Sequence, residues 1–174
     1  IQEAIDAVPD GAVISLEDGT FTGEGNRDMD FAGKAVSLTS RSEVAEAVII
    51  DIQGSPADPC RAFYIHTDET LATSISHLTI RNAFTAYGAS MHFAGSGGAI
   101  LMIAGADLTV LNVNFENNYA DQVGAAIWVV GSMCTLDIRD CHFTGHDSNF
   151  CVAASSCGMV MDNCQIDESN IGGV

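Results

Sequence analysis

Basic side chains are scarce: 6 Lys plus Arg stand against 23 Asp plus Glu in 174 residues, Lys34 is the sole lysine, and the formal net charge is −17. That surface excludes nucleic acid and anionic membrane as partners, because neutralising phosphates takes a basic face. Apolar runs stay short of the roughly 20 residues a spanning helix needs, so no membrane span is expected in this segment. No initiator Met, basic n-region or signal peptide precedes Ile1, and the chain is expected to be part of a longer one continuing past Val174. Asn-Gly hairpin signals are missing as well. Their absence argues against a meandering β-sandwich, the main structural rival.

What is present points to a folded, turn-rich chain. Hydrophobic residues make up 47% of the sequence and mean hydropathy is +0.21, enough for one core, so residues 1–174 are read as a single domain. Seventeen glycines, six cysteines and only three prolines point to a stapled, turn-rich structure, and the even cysteine count together with the acidic charge suggests an oxidising compartment, hence an extracellular or cell-surface, secreted location. Residues 1–10 are expected to form an N-terminal capping helix, with Ile1, Ala4, Ile5 and Val8 on one face and Pro9-Asp10-Gly11 as the stop. After it come short β-branched runs at 13–16, 35–38, 48–52, 62–65, 78–80, 99–103, 108–113, 125–130 and 136–138.

These runs repeat. Leu108-Thr-Val-Leu-Asn112-Val-Asn-Phe115 superposes on Leu136-Asp-Ile-Arg-Asp140-Cys-His-Phe143 and on Met159-Val-Met-Asp-Asn163-Cys-Gln-Ile166, with apolar residues at the first, third, sixth and eighth positions. Leu78-Thr-Ile-Arg-Asn82 fits the first half, so the copies start at intervals of 30, 28 and 23 residues. A second frame runs through Gly97-Gly98-Ala99-Ile100, Gly124-Ala125-Ala126-Ile127, a degenerate copy from Asn149 to Val152, and Gly172-Gly173-Val174. Such a period predicts an all-β solenoid, a right-handed single-stranded parallel β-helix of about seven coils. Phe115, Phe143 and Ile166 are expected to stack inside, with Asn114, His142 and Gln165 outside. The fifth position aligns Asn82, Asn112, Asp140 and Asn163 as an Asx ladder at a turn, where Asn and Asp tolerate left-handed backbone.

The same register pairs Cys134 with Cys157 and Cys141 with Cys164 on neighbouring coils. They are structural disulfide candidates, with reduced cysteine ladders as the alternative and Cys151 with Cys157 as a competing connectivity; Cys60 has no stacked partner.

The pair Gly97-Gly98-Ala99-Ile100 and Phe115-Glu116-Asn117-Asn118 resembles the GGA[ILV] and FxxN repeats of polymorphic outer-membrane proteins, which form right-handed parallel β-helices in surface adhesins. The segment from Ile1 through Asp18-Gly19-Thr20-Phe21 to Ile49-Ile50-Asp51 is similar to the helix-capped opening coils of pectin-lyase-like β-helix proteins. Among these, a lyase would imply an acidic calcium cluster and an Arg or Lys base.

Candidate chemistry is thin by comparison. Arg139 with Asp137 and Asp162 could serve a lyase, yet reads more simply as a surface ion pair. Asp28 and Asp30 alternate on one side of Asn26-Arg27-Asp28-Met29-Asp30 and could act as paired carboxylates or bind calcium, against a reading as solvated loop charges. His142, His146 and Asp147 invite a metal reading without a fourth ligand, and His66, His77 and His92 look scattered. Gly95-Ser96-Gly97-Gly98 lacks the lysine of a phosphate loop. Trp128 reads as core and Tyr119 as a lone turn residue. The reading that follows is a non-enzymatic extracellular module with a structural, adhesive or fibre-forming role, no catalytic, cofactor or metal residues assigned, and calcium on the acidic surface the only cofactor candidate. Its expected partners are glycans, matrix components or further copies of itself. The alternative is a carbohydrate-active lyase or hydrolase acting on acidic polysaccharide.

Overall fold

A computed structural model describes residues 1–88, 94–146 and 150–167. The chain opens with helix α1 (Gln2–Ala7), whose Ile5 is buried while Ile1, Ala4 and Val8 pack on the core. Pro9 cannot continue the helix, and the sole lysine closes it: Lys34 Nζ donates to the carbonyls of Ile5, Asp6 and Val8 at 2.9, 3.1 and 3.0 Å.

Among the described residues sixteen short strands follow: β1 (Val13–Leu16), β2 (Gly19–Phe21), β3 (Ser37–Ser40), β4 (Val48–Asp51), β5 (Phe63–Ile65), β6 (Ser74–Arg81), β7 (Phe84–Thr85) and β8 (Ile100–Ile103) in the first part of the chain. The second part holds β9 (Asp107–Glu116), β10 (Tyr119–Ala120), β11 (Ile127–Val130), β12 (Thr135–Arg139), β13 (His142–Thr144), β14 (Val152–Ser155), β15 (Gly158–Asp162) and β16 (Gln165–Ile166). The protein is therefore all-β with a short N-terminal helix, and every ladder between named strands is parallel. The largest sheet runs β1-β3-β6-β9-β12-β15, with β2, β4, β13 and β16 joined along the other half of the long strands. A second sheet runs β14-β11-β8-β5, and β7 pairs with β10. The parallel ladders rule out the antiparallel sandwich, whose strands would pair through hairpins. The main path of the large sheet holds six strands among the described residues, one fewer than the seven coils expected.

The long strand β9 shows why the apolar frame reads first, third, sixth and eighth. Leu108 and Val110 face inward, Asn112 takes φ +50, and the inward set resumes at Val113 and Phe115. A left-handed residue turns the strand through a corner and shifts the alternation by one. Asp140 and Asn163 do the same at φ +54 and +50, in register with Asn112, and Asn163 Nδ2 donates to Asp140 Oδ1 at 2.5 Å.

Asn82 does not belong to that column. Leu78 pairs with Val113, not Leu108, which puts His77 (φ +55) at the corner and aligns Asn82 (φ +57) with Asn117 (φ +51). The motif slipped because apolar-x-apolar occurs twice in each long strand, and Leu78-Thr79-Ile80 matches either half equally well. Inside, Phe115 and Phe143 are fully buried with rings 5.0 Å apart and 1° from parallel. Ile166 continues their column but is 42% exposed, a correction that follows from its place on the last strand described.

The six cysteines are free thiols, which corrects the expected bridges. Register does stack Cys134 beside Cys157 and Cys141 beside Cys164. In-register parallel neighbours point their side chains the same way, however, so the sulfurs do not turn toward each other. Instead Cys141 Sγ donates to the Arg139 carbonyl at 3.2 Å and Cys164 Sγ to that of Asp162 at 3.3 Å, the same contact one strand apart. Burial pushes the Cys141 thiol up to about 12, the state of an inert core thiol.

Candidate active site

The acidic pair at 28 and 30 lies where the chain first joins the second sheet. Met29 points inward, fully buried, and bridges Phe63 in parallel register, so Asp30 stands beside Tyr64 on the outer face. Asp28 takes φ +46, a left-handed conformation that aspartate tolerates, and its Oδ1 accepts the Arg61 N–H at 3.4 Å. At the rim its residue still meets solvent, but packing around the carboxyl raises the pKa above the ordinary aspartate range. Burial is the larger cause, and the N–H and charge of Arg61 partly oppose it.

Arg61 is 1% exposed; its guanidinium donates to the Ser96 carbonyl at 3.2 Å and lies 5.9 Å from the Tyr64 ring centre. Tyr64 stacks on His66 with ring centres 4.1 Å apart. His66 Nε2 sits 3.2 Å from Asp30 Oδ2, and its Nδ1 sits 3.1 Å from Thr67 Oγ1.

The setting holds Asp30 firmly. Gln2 of α1 brackets its backbone, accepting from Asp30 N–H at 2.8 Å and donating to its carbonyl at 3.0 Å, while Asp30 Oδ1 accepts the Ala32 N–H at 2.7 Å. The buried Glu69 carboxylate ties the next turn down by accepting the Thr67 and Gly33 N–H groups at 2.8 and 3.0 Å. Two aspartates thus flank Arg61 and Tyr64 in unlike surroundings. Asp28 is exposed, yet its carboxyl pKa lies above the ordinary aspartate range; Asp30 is half-buried and hydrogen-bonded to the Ala32 N–H and His66. Such an arrangement can supply an acid and a base.

Other residues singled out in the sequence have simpler places. Arg139 donates to Asp137 at 2.9 and 2.7 Å and stands beside Asp162 on an exposed face, a surface ion pair. His142 is half-exposed with its Nε2 3.5 Å from Asp167. His146 is buried: its Nδ1 accepts the Asn118 N–H at 3.2 Å, and burial lowers its pKa to about 4. It replaces the asparagine of the FxxN motif, whose other copy, Asn118, is fully buried and holds the Ala83 N–H and the Ile80 carbonyl at 3.0 and 3.1 Å.

Trp128 faces outward, half-buried, because Ile127 and Val129 take the inward positions of β11; the core reading is corrected. Tyr119 stacks on Phe84 at 4.4 Å. His77 lies 3.5 Å from Thr39 Oγ1. His92, Asp147, Asn149 and the Gly172-Gly173-Val174 copy lie outside the described residues. Among the described residues, no three His, Cys, Asp or Glu side chains converge where a metal ion could sit.

Sequence reasoning passed over Gln2, Arg61, Tyr64 and Glu69 and left His66 unattached. The signal was the Met29 and Phe63 register, which no periodic run announces around residue 29.

No protein-family model matches the chain, and no curated protein matches it. The structure superposes on the crystal structure of a protein from Parabacteroides merdae ATCC 43184 named a "putative glycosyl hydrolase", with a TM-score of 0.55 and 14% identity over 95% of this chain and 88% of that one. At that identity the likeness shows the fold alone. The expectation of a non-enzymatic chain, which rested on repeat motifs without a catalytic constellation, is corrected: a protein of similar fold bears a hydrolase name.

Proposed function

We propose that the chain winds as a right-handed parallel β-helix of the pectin-lyase-like kind and works as a carbohydrate-active hydrolase. Asp28 is the proton donor and Asp30 the base. The observation that carries this reading is the pair of aspartates flanking Arg61 and Tyr64, one with its pKa raised by burial and the other hydrogen-bonded to His66. The hydrolase name of the structural neighbour supports it. Parallel strands that return to the same sheet support the handedness, because such crossovers are right-handed in nearly all proteins.

In the proposed reaction Asp28 gives its proton to the glycosidic oxygen as the bond from that oxygen to the anomeric carbon breaks. Asp30 takes a proton from the attacking water, whose oxygen stays on the anomeric carbon. His66 orients Asp30, and the N–H and charge of Arg61 stabilise the Asp28 carboxylate left once its proton has been given up. An extracellular or surface location suits a polysaccharide substrate and the acidic exterior; with all thiols free, cysteine content no longer contributes to that placement.

The test is release of reducing ends from a broad panel of polysaccharides by the wild type, Asp28→Asn and Asp30→Asn. Each substitution is expected to lower kcat by about 10²–10⁴-fold while the fold persists. Full activity in both variants, or none in the wild type on any polysaccharide, overturns the assignment.

A further inference from the structure

We propose that Asp58 is a positioning residue for the proton donor of this site: it holds the Arg27 guanidinium and offsets its charge, so that Asp28 keeps its proton until a substrate takes it. The inference rests on the hydrolase reading for what that proton does. The hold of Asp58 on Arg27 and its effect on Asp28 stand apart from that reading.

Arg27 immediately precedes Asp28, so a full positive charge lies one residue from a carboxyl that has to stay neutral in order to donate. Its side chain is drawn across to another loop. Arg27 Nη1 donates to Asp58 Oδ2 at 2.6 Å, while Arg27 Nε is buried without a hydrogen-bond partner. Among the described residues, Asp58 is the only hydrogen-bond partner of that guanidinium.

The loop that carries Asp58 is firmly tied. Ser55 and Asp58 exchange both backbone hydrogen bonds at 3.1 and 3.0 Å, and Ser55 Oγ accepts the Asp58 N–H at 3.2 Å. Pro56 and Pro59, two of the three prolines in the chain, fix the backbone inside that turn and just after it. Beyond it the Cys60 N–H and carbonyl pair with Phe84 at 2.9 and 3.0 Å, and the Arg61 carbonyl accepts the Asp28 N–H at 2.8 Å. The backbone contacts that seat Asp28 beside Arg61 thus also seat Asp58 beside Arg27. None of them uses the Asp58 carboxylate, which is left to the guanidinium.

The ionisable neighbours of Asp28 are Arg61, Arg27, Asp58 and the Cys60 thiol. Arg61 and Arg27 favour its charged form and Asp58 disfavours it; the thiol, pushed up to about 11 chiefly by burial, stays neutral. Arg27 and Asp58 therefore act on Asp28 with opposite signs, and their pairing sets a nearly neutral unit beside the acid. A solvated ion pair of this kind adds little stability. Its consequence is the charge that Asp28 feels.

The experiment titrates the Asp28 carboxyl by carbon-13 NMR, assigned by its loss in Asp28→Asn, and follows kcat against pH on a polysaccharide that the wild type cleaves. The variants are Asp58→Asn, Arg27→Gln, the two together, and Asp58→Glu, with thermal melts to check that each folds. A proton donor works while protonated, so kcat falls as pH rises through its pKa. Asp58→Asn leaves Arg27 uncompensated and should move the titration and that fall to lower pH, costing about 3–10-fold in kcat on the alkaline side and little on the acid side. Arg27→Gln should move both to higher pH, the double variant should bring them back toward the wild type, and Asp58→Glu, which keeps the charge, should stay near it. Should Arg27→Gln not fold, the contrast between Asp58→Asn and Asp58→Glu decides alone.

An Asp28 titration that Asp58→Asn leaves unmoved, or that Asp58→Asn and Arg27→Gln shift the same way, overturns the inference. Shifts of the expected sign in a protein that cleaves no polysaccharide overturn the hydrolase reading and leave this one standing; cleavage with the Asp28 titration unmoved does the reverse.

Discussion

Phe143→Ala tests the stacked interior most directly. Phe143 is fully buried, its ring lies 5.0 Å from that of Phe115 on one side, and register places Ile166 on the other. Removing a buried Phe side chain costs about 3–5 kcal/mol through lost transfer energy and the cavity left behind. Ile166 is 42% exposed, so the cavity opens toward the edge and the site can partly relax. The expected loss is therefore about 3–4 kcal/mol, near the lower end of that range.

Phe115 provides the internal standard, because it is covered by Ile80 below and Phe143 above, both fully buried. Phe115→Ala should cost more, about 4–5 kcal/mol. His142, one residue from Phe143 and half-exposed, should lose under about 0.5 kcal/mol on replacement by Ala. Urea unfolding followed by fluorescence of the single Trp128 gives the three values, and thermal melts should show Phe143→Ala lower by roughly 10 °C. If Phe143→Ala is tolerated within about 1 kcal/mol, or His142→Ala costs as much, the columns are out of register and the reasoning fails.

Two further outcomes follow from buried groups elsewhere. His146 is held neutral, with a folded pKa of about 4 against an ordinary 6.5, so the unfolded chain takes up a proton that the folded one refuses. Stability is complete above about pH 6.5 and falls as pH drops toward 4, by about 3 kcal/mol in all; urea midpoints across that range should lose this slope in His146→Asn, which still offers Asn118 an acceptor. Gly98→Ala would drive a methyl into the Ala125 carbonyl and to 2.6 Å from that of Tyr119, and should destabilise by about 1–3 kcal/mol or more. Gly25→Ala, with nothing within 4 Å, should melt like the wild type.

Periodicity carried everything that depends on one strand and its immediate copy. The apolar frame at 108–115, 136–143 and 159–166, the left-handed corners at Asn112, Asp140 and Asn163, and the stacked Phe115 and Phe143 were all legible, because each restates a local alternation at a short interval. The helix over Gln2–Ala7 was legible for the same reason, its apolar face and its proline stop both being local.

What joins copies across loops of unequal length was decided only by tertiary structure. The interval from Leu78 to its true partner Val113 includes loop residues that no pattern counts, so Asn82 was placed in the wrong column and His77 was not placed at the corner. The direction of Trp128 depends on which neighbour turns inward, and the state of the cysteines on side-chain vectors that spacing does not contain. The candidate site is the strongest case. Asp30 and His66 lie 36 residues apart and meet because Met29 seats itself beside Phe63, a contact made by burial of two side chains rather than by any repeat.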